Sequence, residues 1–568
     1  VGYQFGELGN SRLDYAGGAN PSPTYYQGLP SYFLADRDGP DLAGAYDAYQ
    51  NFTEGGQLDW NRLYDANVTN NITGDNAAYV LYEDRSDDTQ LSVNTIINSE
   101  VSEHVTLNAA VNYKRLKSHN FAEIIDMLGS TTGYLNVDSF DQVQFDLQNP
   151  NQIVGEGDTF RYNYNLEANI VSMFAQAQFK YNKVDFFLAV SNTKTSYQRE
   201  GLYQPELYPT TSFGKGEKVE FSGIGAKGGL TYKFSGKHLL VANAGYLTKA
   251  PTIRNTFSNS RENNKIVGDQ SEFGITEEKI TSFDLNYVYR SPIVKARLTG
   301  YYTMMQDANE ISFFYANGLS GTLGGSAFVQ EILEGVDKKH LGIEFGIEAQ
   351  VTPTIKLTGV ASVGQYTYDN NPNVLLSSSN FLLQQEEQSA SETPTVDEGR
   401  DFISAGTANL KDYKIAGGPQ RAFSLGFEYR DPNYWWFGTT ANFMSNAYLD
   451  VSPITRTKNF YVDNDGIPFT DYDPTLAKEL LRQEKFDSYM VWNAVGGKSW
   501  KIGDKYISLF VSLNNILNTQ FKTGGYEQSR NANYQSLKED VSAPKRRFGP
   551  KYWFGRGTTY FMNLNLRF

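Results

Sequence analysis

The chain has 568 residues, no cysteine, four histidines and a formal net charge of −14. These values exclude a disulfide framework and thiolate metal sites. They also argue against a nucleic-acid partner, which would need a basic face, and the histidines (His104, His119, His238, His340) stand singly rather than grouped as zinc ligands.

Mean hydropathy is −0.48, and no apolar run reaches the roughly 20 residues that a spanning helix needs. A membrane barrel also averages to a hydrophilic value, because lipid-facing and lumen-facing residues alternate along each strand. Tyr 39, Phe 36 and Trp 6 make up 14% of the chain, a content suited to aromatic girdles at two membrane interfaces.

Residues 1–76 are expected to form an extracellular loop region, with 1–15 the end of one strand. Period-two alternation, the mark of a strand with two unlike faces, begins near residue 78. Val105–Tyr113 shows it first, and Phe121–Leu128 then reads as a helical turn in a long connection. In Ile280–Arg290, Phe283, Leu285, Tyr287 and Tyr289 share one face against Ser282, Asp284 and Asn286. Ile293–Met304 sets Val294, Ala296, Leu298, Tyr302 and Met304 against Lys295, Arg297, Thr299 and Thr303. Leu341–Val351 sets Leu341, Ile343, Phe345, Ile347 and Ala349 against Glu344, Glu348 and Gln350. Ile355–Val363, Phe423–Tyr429 and Ile507–Leu513 repeat the pattern. Asp473-Pro474 before Leu476, Leu480 and Leu481 reads as an N-cap, a Pro at the first helical position and a short helix.

The connections carry a second rhythm. Short turns rich in Pro, Gly, Asn or Asp stand at 235–237, 290–292, 352–354, 431–433 and 502–504. Between them lie long connections near 116–158, 197–217, 250–276, 305–338, 368–419, 445–485 and 515–556; that at 385–401 is acidic and Ser/Thr-rich. Strict alternation of short and long connections is the habit of an outer-membrane barrel, with short periplasmic turns and long extracellular loops. The fold class is therefore all-β, a large antiparallel transmembrane β-barrel with about 15 or 16 strands in this chain. Residues 77–568 form the C-terminal part of that barrel. The C-terminus is expected on the periplasmic side, so an odd strand count puts the first 75 residues outside the cell and starts the chain partway round.

Several segments resemble the barrel of a TonB-dependent receptor of the type common in the Bacteroidota. They are GYLTKAPTIRNTF (245–257), EEKITSFDLNYVY (277–289), KARLTGYYTMMQDANEI (295–311), KKHLGIEFGIEAQVTPTIKLTGVASVGQYTY (338–368), SLFVSLNNILNTQF (508–521) and TTYFMNLNLRF (558–568). PSPTYYQGLPSY (21–32) and LDWNRLY (58–64) resemble extracellular loops of the same subgroup. The resemblance implies a 22-stranded barrel, occupied by a plug domain and driven by TonB. The plug and TonB box are not in this sequence, so both are expected upstream.

Candidate site residues follow. Tyr560, Met562, Leu564, Leu566 and Phe568 share parity on the last strand and are expected to face lipid, where a terminal aromatic resembles the signal read by the barrel-assembly machinery. Tyr434, Trp435 and Trp436 read as one interfacial aromatic belt, and Tyr552 and Trp553 as part of the opposite one. Glu344, Glu348, Asp284, Lys295 and Arg297 lie on the expected lumen face. Asp36, Asp38 and Asp41 alternate around Gly39 and are candidate Ca²⁺ ligands, with Asp463-Asn464-Asp465-Gly466 a weaker candidate. Asx and Gly also simply make turns, which is the commoner case. No catalytic motif stands in a supporting context, so an enzyme is not expected and no other cofactor is implied.

The expected function is uptake of a scarce solute across the outer membrane. The expected partners are the lipid bilayer and lipopolysaccharide, TonB through an upstream plug, and a surface lipoprotein or other outer-membrane subunit. The rival reading is a receptor-like barrel reused as a structural subunit of an assembly or secretion complex.

Overall fold

The computed structural model describes residues 12–16, 20–35, 39–268, 274–320, 325–384, 395–396 and 401–567. One antiparallel sheet dominates them. A short strand β1 (Arg12–Tyr15) pairs with the start of β2 (Tyr79–Ser102). The sheet then runs through β3 (Val105–Asp126), β4 (Thr159–Lys180), β5 (Val184–Gly201), β6 (Val219–Lys233), β7 (His238–Lys249) and β8 (Glu278–Arg290). It continues through β9 (Val294–Leu319), β10 (Gly325–Gln350), β11 (Ile355–Tyr368), β12 (Arg421–Asp431), β13 (Trp435–Ser445), β14 (Tyr489–Ile502), β15 (Lys505–Asn514) and β16 (Thr559–Arg567). Each long strand pairs with the next, as expected of an up-and-down barrel.

The register converts the alternation into two continuous faces. Phe283 lies opposite Tyr302, Tyr287 opposite Leu298, Leu298 opposite Phe345, and Phe345 opposite Ala361. This outer row is apolar and exposed, and Leu425 on β12 is 72% accessible. Asp284 lies opposite Tyr301, Asn286 opposite Thr299, Thr299 opposite Glu344, and Glu344 opposite Ser362. That inner row is polar. A face of exposed Leu, Phe and Ile this extensive is far larger than water tolerates on a monomer, whereas lipid requires it.

Short turns gather at one end, at 103–104, 181–183, 234–237, 291–293, 351–354, 432–434 and 503–504. The other end carries the long connections, which pack into a crown with its own apolar clusters. The largest joins Leu319, Val329, Val336, Val374, Leu410 and Ile454. Another stacks Phe460 and Tyr534 edge to face at 6.0 Å.

Three sequence expectations change. Residues 305–338 are not mainly a loop: β9 and β10 run on as a tall hairpin, with register shifts at Met305/Ala308 and Ala308/Glu310 absorbing the departure from regular alternation. Phe121–Asp126 is the end of β3, not a helical turn. Pairing with β2 and burial of Phe121, Ala122 and Ile124 override the local helical pattern there. The stretch read as loop before β2 holds helices α1 (Pro30–Leu34), α2 (Leu42–Gly55) and α3 (Trp60–Thr73). The carboxylates of Asp41 and Asp59 cap α2 and α3 by accepting from Gly44 N and Arg62 N. The expected helix after Asp473 is present as α4 (Pro474–Leu480), with Asp473 accepting from Thr475 N at 2.8 Å.

Among the described residues, the two outermost long strands are each paired along most of their length on one side only. Beyond Tyr82, β2 bonds only to β3, and β16 bonds only to β15 among the described residues. Unpaired backbone of this kind is costly in a hydrocarbon medium.

Candidate functional site

Polar and charged side chains gather in two regions: the inner face of the sheet and the crown. On the inner face, a shallow cavity of about 520 Å³ opens among Asn243, Asp284, Arg297, Tyr301, His340 and Glu344. Adjacent strands supply a chain of bonds here. Asn243 Nδ2 donates to Asp284 Oδ1 at 3.0 Å, and Arg297 Nε and Thr299 Oγ1 donate to Asn286 Oδ1 at 2.9 and 2.7 Å. Across β9 and β11 the Tyr301 and Tyr366 hydroxyls meet at 2.7 Å. Lys295 pairs with Glu348 at 3.5 Å nearer the short turns. The expected inward residues Asp284, Lys295, Arg297, Glu344 and Glu348 therefore share one face. The two glutamates lie on the same face of β10, Glu348 paired with Lys295 and Glu344 on the wall of the cavity.

The crown is held by buried polar clamps between loops. Arg456 is only 2% exposed in its side chain. It forms a two-pronged pair with Glu527, one prong being Nη2 to Oε1 at 2.9 Å, and it also donates to Leu481 O and Thr455 Oγ1. Glu527 in turn accepts from Ser452 N at 3.0 Å. This one pair ties residues 446–488 to residues 515–558. A second clamp joins Asp401 to Tyr208 Oη at 2.8 Å, Ser377 Oγ at 2.7 Å and Lys265 Nζ at 3.3 Å. Burial pushes the Tyr208 hydroxyl well above its ordinary range, with Asp401 adding to it. A third is Asn67 on α3. Its amide donates to the Tyr79, Met127 and Leu128 carbonyls and accepts from Ala78 N and Tyr79 N, pinning the helix to the ends of β2 and β3.

Desolvation perturbs several crown carboxyls. It raises Glu262 to about 7, with Asp401 contributing, and Asp450 to about 6, with Glu310 contributing. Glu331, in the part of the β10 hairpin that rises beyond its neighbours, goes to about 8 for the same reason, against the bond it accepts from Ser312 Oγ.

The sequence-derived candidates fall as follows. Tyr560, Met562, Leu564 and Leu566 share the exposed outer face of β16, while Phe568 lies outside the described residues. Tyr434 and Trp435 are exposed at the short-turn end. Trp436 is on the opposite face from Trp435: it sits on the inner side against Phe510 (6.1 Å) and under Arg430. Alternation in a strand prevents two consecutive residues from facing the same way, so Trp436 leaves the outer belt. Tyr552 and Trp553 lie on the ribbon formed by Lys522–Tyr526 and Lys551–Phe554. Tyr552 turns inward to donate to Glu484 Oε2 at 2.6 Å, and Trp553 is exposed beside Tyr526. Asp36 and Asp38 lie outside the described residues, and the Asp41 carboxylate is engaged as the cap of α2. Asp463 Oδ1 accepts from Asp465 N and Ile467 N, closing its own turn. Among the described residues no group of three His, Cys, Asp or Glu is placed to hold a metal ion.

The model of the family described as TonB dependent receptor-like, beta-barrel matches residues 2–516. The chain belongs to this TonB-dependent receptor family. Membership implies an outer-membrane β-barrel, with which the register and the two faces agree, and no helix among the described residues is long and apolar enough to cross a membrane. The structure of the copper transporter OprC is similar in fold, with a TM-score of 0.50 at 13% identity over 86% of this chain and 57% of that one. The ferric yersiniabactin uptake receptor FyuA from Yersinia pestis gives 0.47 at 10% identity over 86% and 57%. The siderophore receptor PiuA from Acinetobacter baumannii gives 0.47 at 12% over 86% and 56%. The chain thus spans little more than half the length of these structures. Comparison with the curated proteins finds no match. The family match does not support reuse as a structural subunit of an assembly or secretion complex.

The crown clamps were not legible beforehand. Arg456, Glu527 and Asn67 are single residues in polar loops, and only their meeting in space marks them.

Proposed function

We propose that this chain is the barrel part of a receptor that captures a scarce solute on its crown and passes it through the lumen when TonB acts on a plug domain. The observation that carries this reading is a crown of long loops, internally clamped by buried pairs, standing on a rigid sheet with a polar inner wall. Recognition on loops held by a rigid scaffold is a general arrangement for binding. The crown is then extracellular and the short turns and C-terminus periplasmic. The inner-face groups around Asp284, Arg297 and Glu344 present donors and acceptors to whatever fills the lumen, and a surface lipoprotein is a further partner. Tyr560, Met562, Leu564, Leu566 and Phe568 serve as the insertion signal, and Tyr434 and Trp435 as the periplasmic-side belt.

The test is growth of cells lacking the gene on a panel of limiting solutes, begun with copper and siderophore-bound iron because the similar structures carry those names. The expected result is a defect confined to one solute, restored by the gene and absent as a difference when TonB is inactive. A defect of general envelope integrity with no solute preference would contradict it.

A further inference from the structure

Arg530 and Arg547 in the crown have no ion pair among the described residues, and each has a buried Nε without a hydrogen-bond partner. Arg530 has its Cζ 4.0 Å from the centre of the Tyr315 ring, 4.8 Å from Phe548 and 5.6 Å from Tyr26. No carboxylate or other acceptor meets its guanidinium among the described residues, and its Nε is buried without a partner. Arg547 lies over Tyr32 at 5.1 Å. Among the described residues its side chain makes one hydrogen bond, Nη2 to the Ala35 carbonyl at 2.8 Å, and its Nε is likewise buried without a partner. Tyr26 packs on Tyr32 at 5.7 Å and on Phe548 at 5.5 Å, so the two guanidiniums flank one cluster of rings.

Among the described residues, the acid nearest Arg547 in sequence does not neutralise it. Asp540, on helix α5 (Tyr534–Ser542), spends Oδ2 on Arg546 and Oδ1 on the backbone N–H groups of Arg547 and Phe548. It shapes the turn that presents Arg547 rather than pairing with it. The segment from 545 to 556 (KRRFGPKYWFGR) holds five basic residues and no acidic one, in a chain of net charge −14. An ionised group taken partly out of water without a counter-charge is costly. Contact with the rings returns part of that cost, but a ring offers no oxygen acceptor to the N–H donors. A planar fork with free in-plane donors is the recognition element for an oxyanion.

We propose that Arg530 and Arg547 form an oxyanion site, taking a phosphate or carboxylate group where the segment 20–35 meets the loop 515–558. Binding there adds a bridge between the first and last described parts of the crown, beside the existing Arg547–Ala35 bond. The site does not depend on which solute the barrel carries or on whether it carries one.

The test is calorimetric titration of the purified full chain in detergent with inorganic phosphate, with citrate, and separately with vesicles containing phosphorylated lipid A. Saturable binding to at least one probe is expected. Arg530→Gln and Arg547→Gln should each weaken it by about tenfold or more, as loss of a charge-assisted donor predicts. Arg530→Lys, which keeps the charge and loses the fork, should weaken it by a smaller factor. Binding to phosphate or citrate identifies a soluble source, and binding only to vesicles identifies a lipid headgroup; either supports the site. Heat-modifiable migration on gels confirms that each variant is folded, and Lys478→Gln on α4 serves as a neutral control. No saturable binding to any probe, or equal binding by the wild type and the folded Gln variants, would overturn the proposal.

Discussion

The Arg456–Glu527 pair gives the most quantitative prediction. Glu527→Leu removes both carboxylate oxygens from a guanidinium that is 2% exposed. Breaking a buried pair from one side costs about 3–5 kcal/mol, because the remaining charge has no counter-charge. Here the Leu481 and Ser452 carbonyls and the Thr455 hydroxyl still accept from Arg456, so the lower end, about 3 kcal/mol, is expected. That is about a hundredfold increase in the opening constant of the two loops it joins. Arg456→Met should cost less, about 2 kcal/mol, because Glu527 is 18% exposed and keeps its bond from Ser452 N. The double variant should then be less damaged than the sum of the two by about 2 kcal/mol, since neither charge is left alone. Hydrogen exchange followed by mass spectrometry on residues 446–488 and 515–558 reads all three opening constants, while heat-modifiability reports the sheet. Unchanged exchange in both loops for Glu527→Leu, or strictly additive effects, would refute the claim that this pair clamps the crown.

Asn67→Ala should free α3 from the ends of β2 and β3 at a cost of about 2–4 kcal/mol, since Ala78 N, Tyr79 N and three carbonyls lose their partner; faster proteolysis within 56–76 with an intact sheet is the expected readout. Glu331 has its folded-state pKa raised to about 8 by burial. Its contribution is therefore complete below the unfolded carboxyl range, near 4, and is lost as pH rises towards 8, by up to about 1.4 kcal/mol per pH unit. Glu331→Gln should match the wild type near pH 4.5 and slow exchange in the hairpin relative to it at pH 8; a variant less stable than the wild type at pH 8 would contradict this. Leu425→Arg on the outer face should cut the yield of folded, membrane-inserted protein, with a cost of about 2–4 kcal/mol near the bilayer centre, whereas Val360→Arg on the inner face should be tolerated. Equal yields would mean that the two faces are wrongly assigned.

What the sequence revealed followed the strength of its periodicity. Ile280–Arg290, Ile293–Met304 and Leu341–Val351 alternate cleanly, and each is a strand with the anticipated facing. The turn chemistry at 290–292, 352–354 and 431–433 likewise placed one end of the sheet. Where alternation breaks, the reading failed. Asp307 adopts a left-handed φ of 59°, and the register shifts beside it hid the continuation of β9 and β10 behind a false loop. Helices α2 and α3 were missed although Asp41 and Asp59 stand as caps, because Asp before a polar stretch marks turns as often as helices. Trp436 was misassigned by treating three adjacent aromatics as one belt, against the alternation that served elsewhere. The crown's clamps were invisible for a different reason: Arg456 meets Glu527, and Tyr208 meets Asp401, across long sequence separations that no local pattern reports.

The central claim, that this chain is the barrel of a TonB-driven outer-membrane receptor, is tested most directly by uptake of a labelled solute. The solute is the one singled out by the growth panel, offered to cells carrying the full gene with TonB active or inactivated. Accumulation should be saturable, should need the gene, and should fall to the level of cells lacking the gene when TonB is inactive. Uptake that is unsaturable, or that persists undiminished without TonB, would contradict the account.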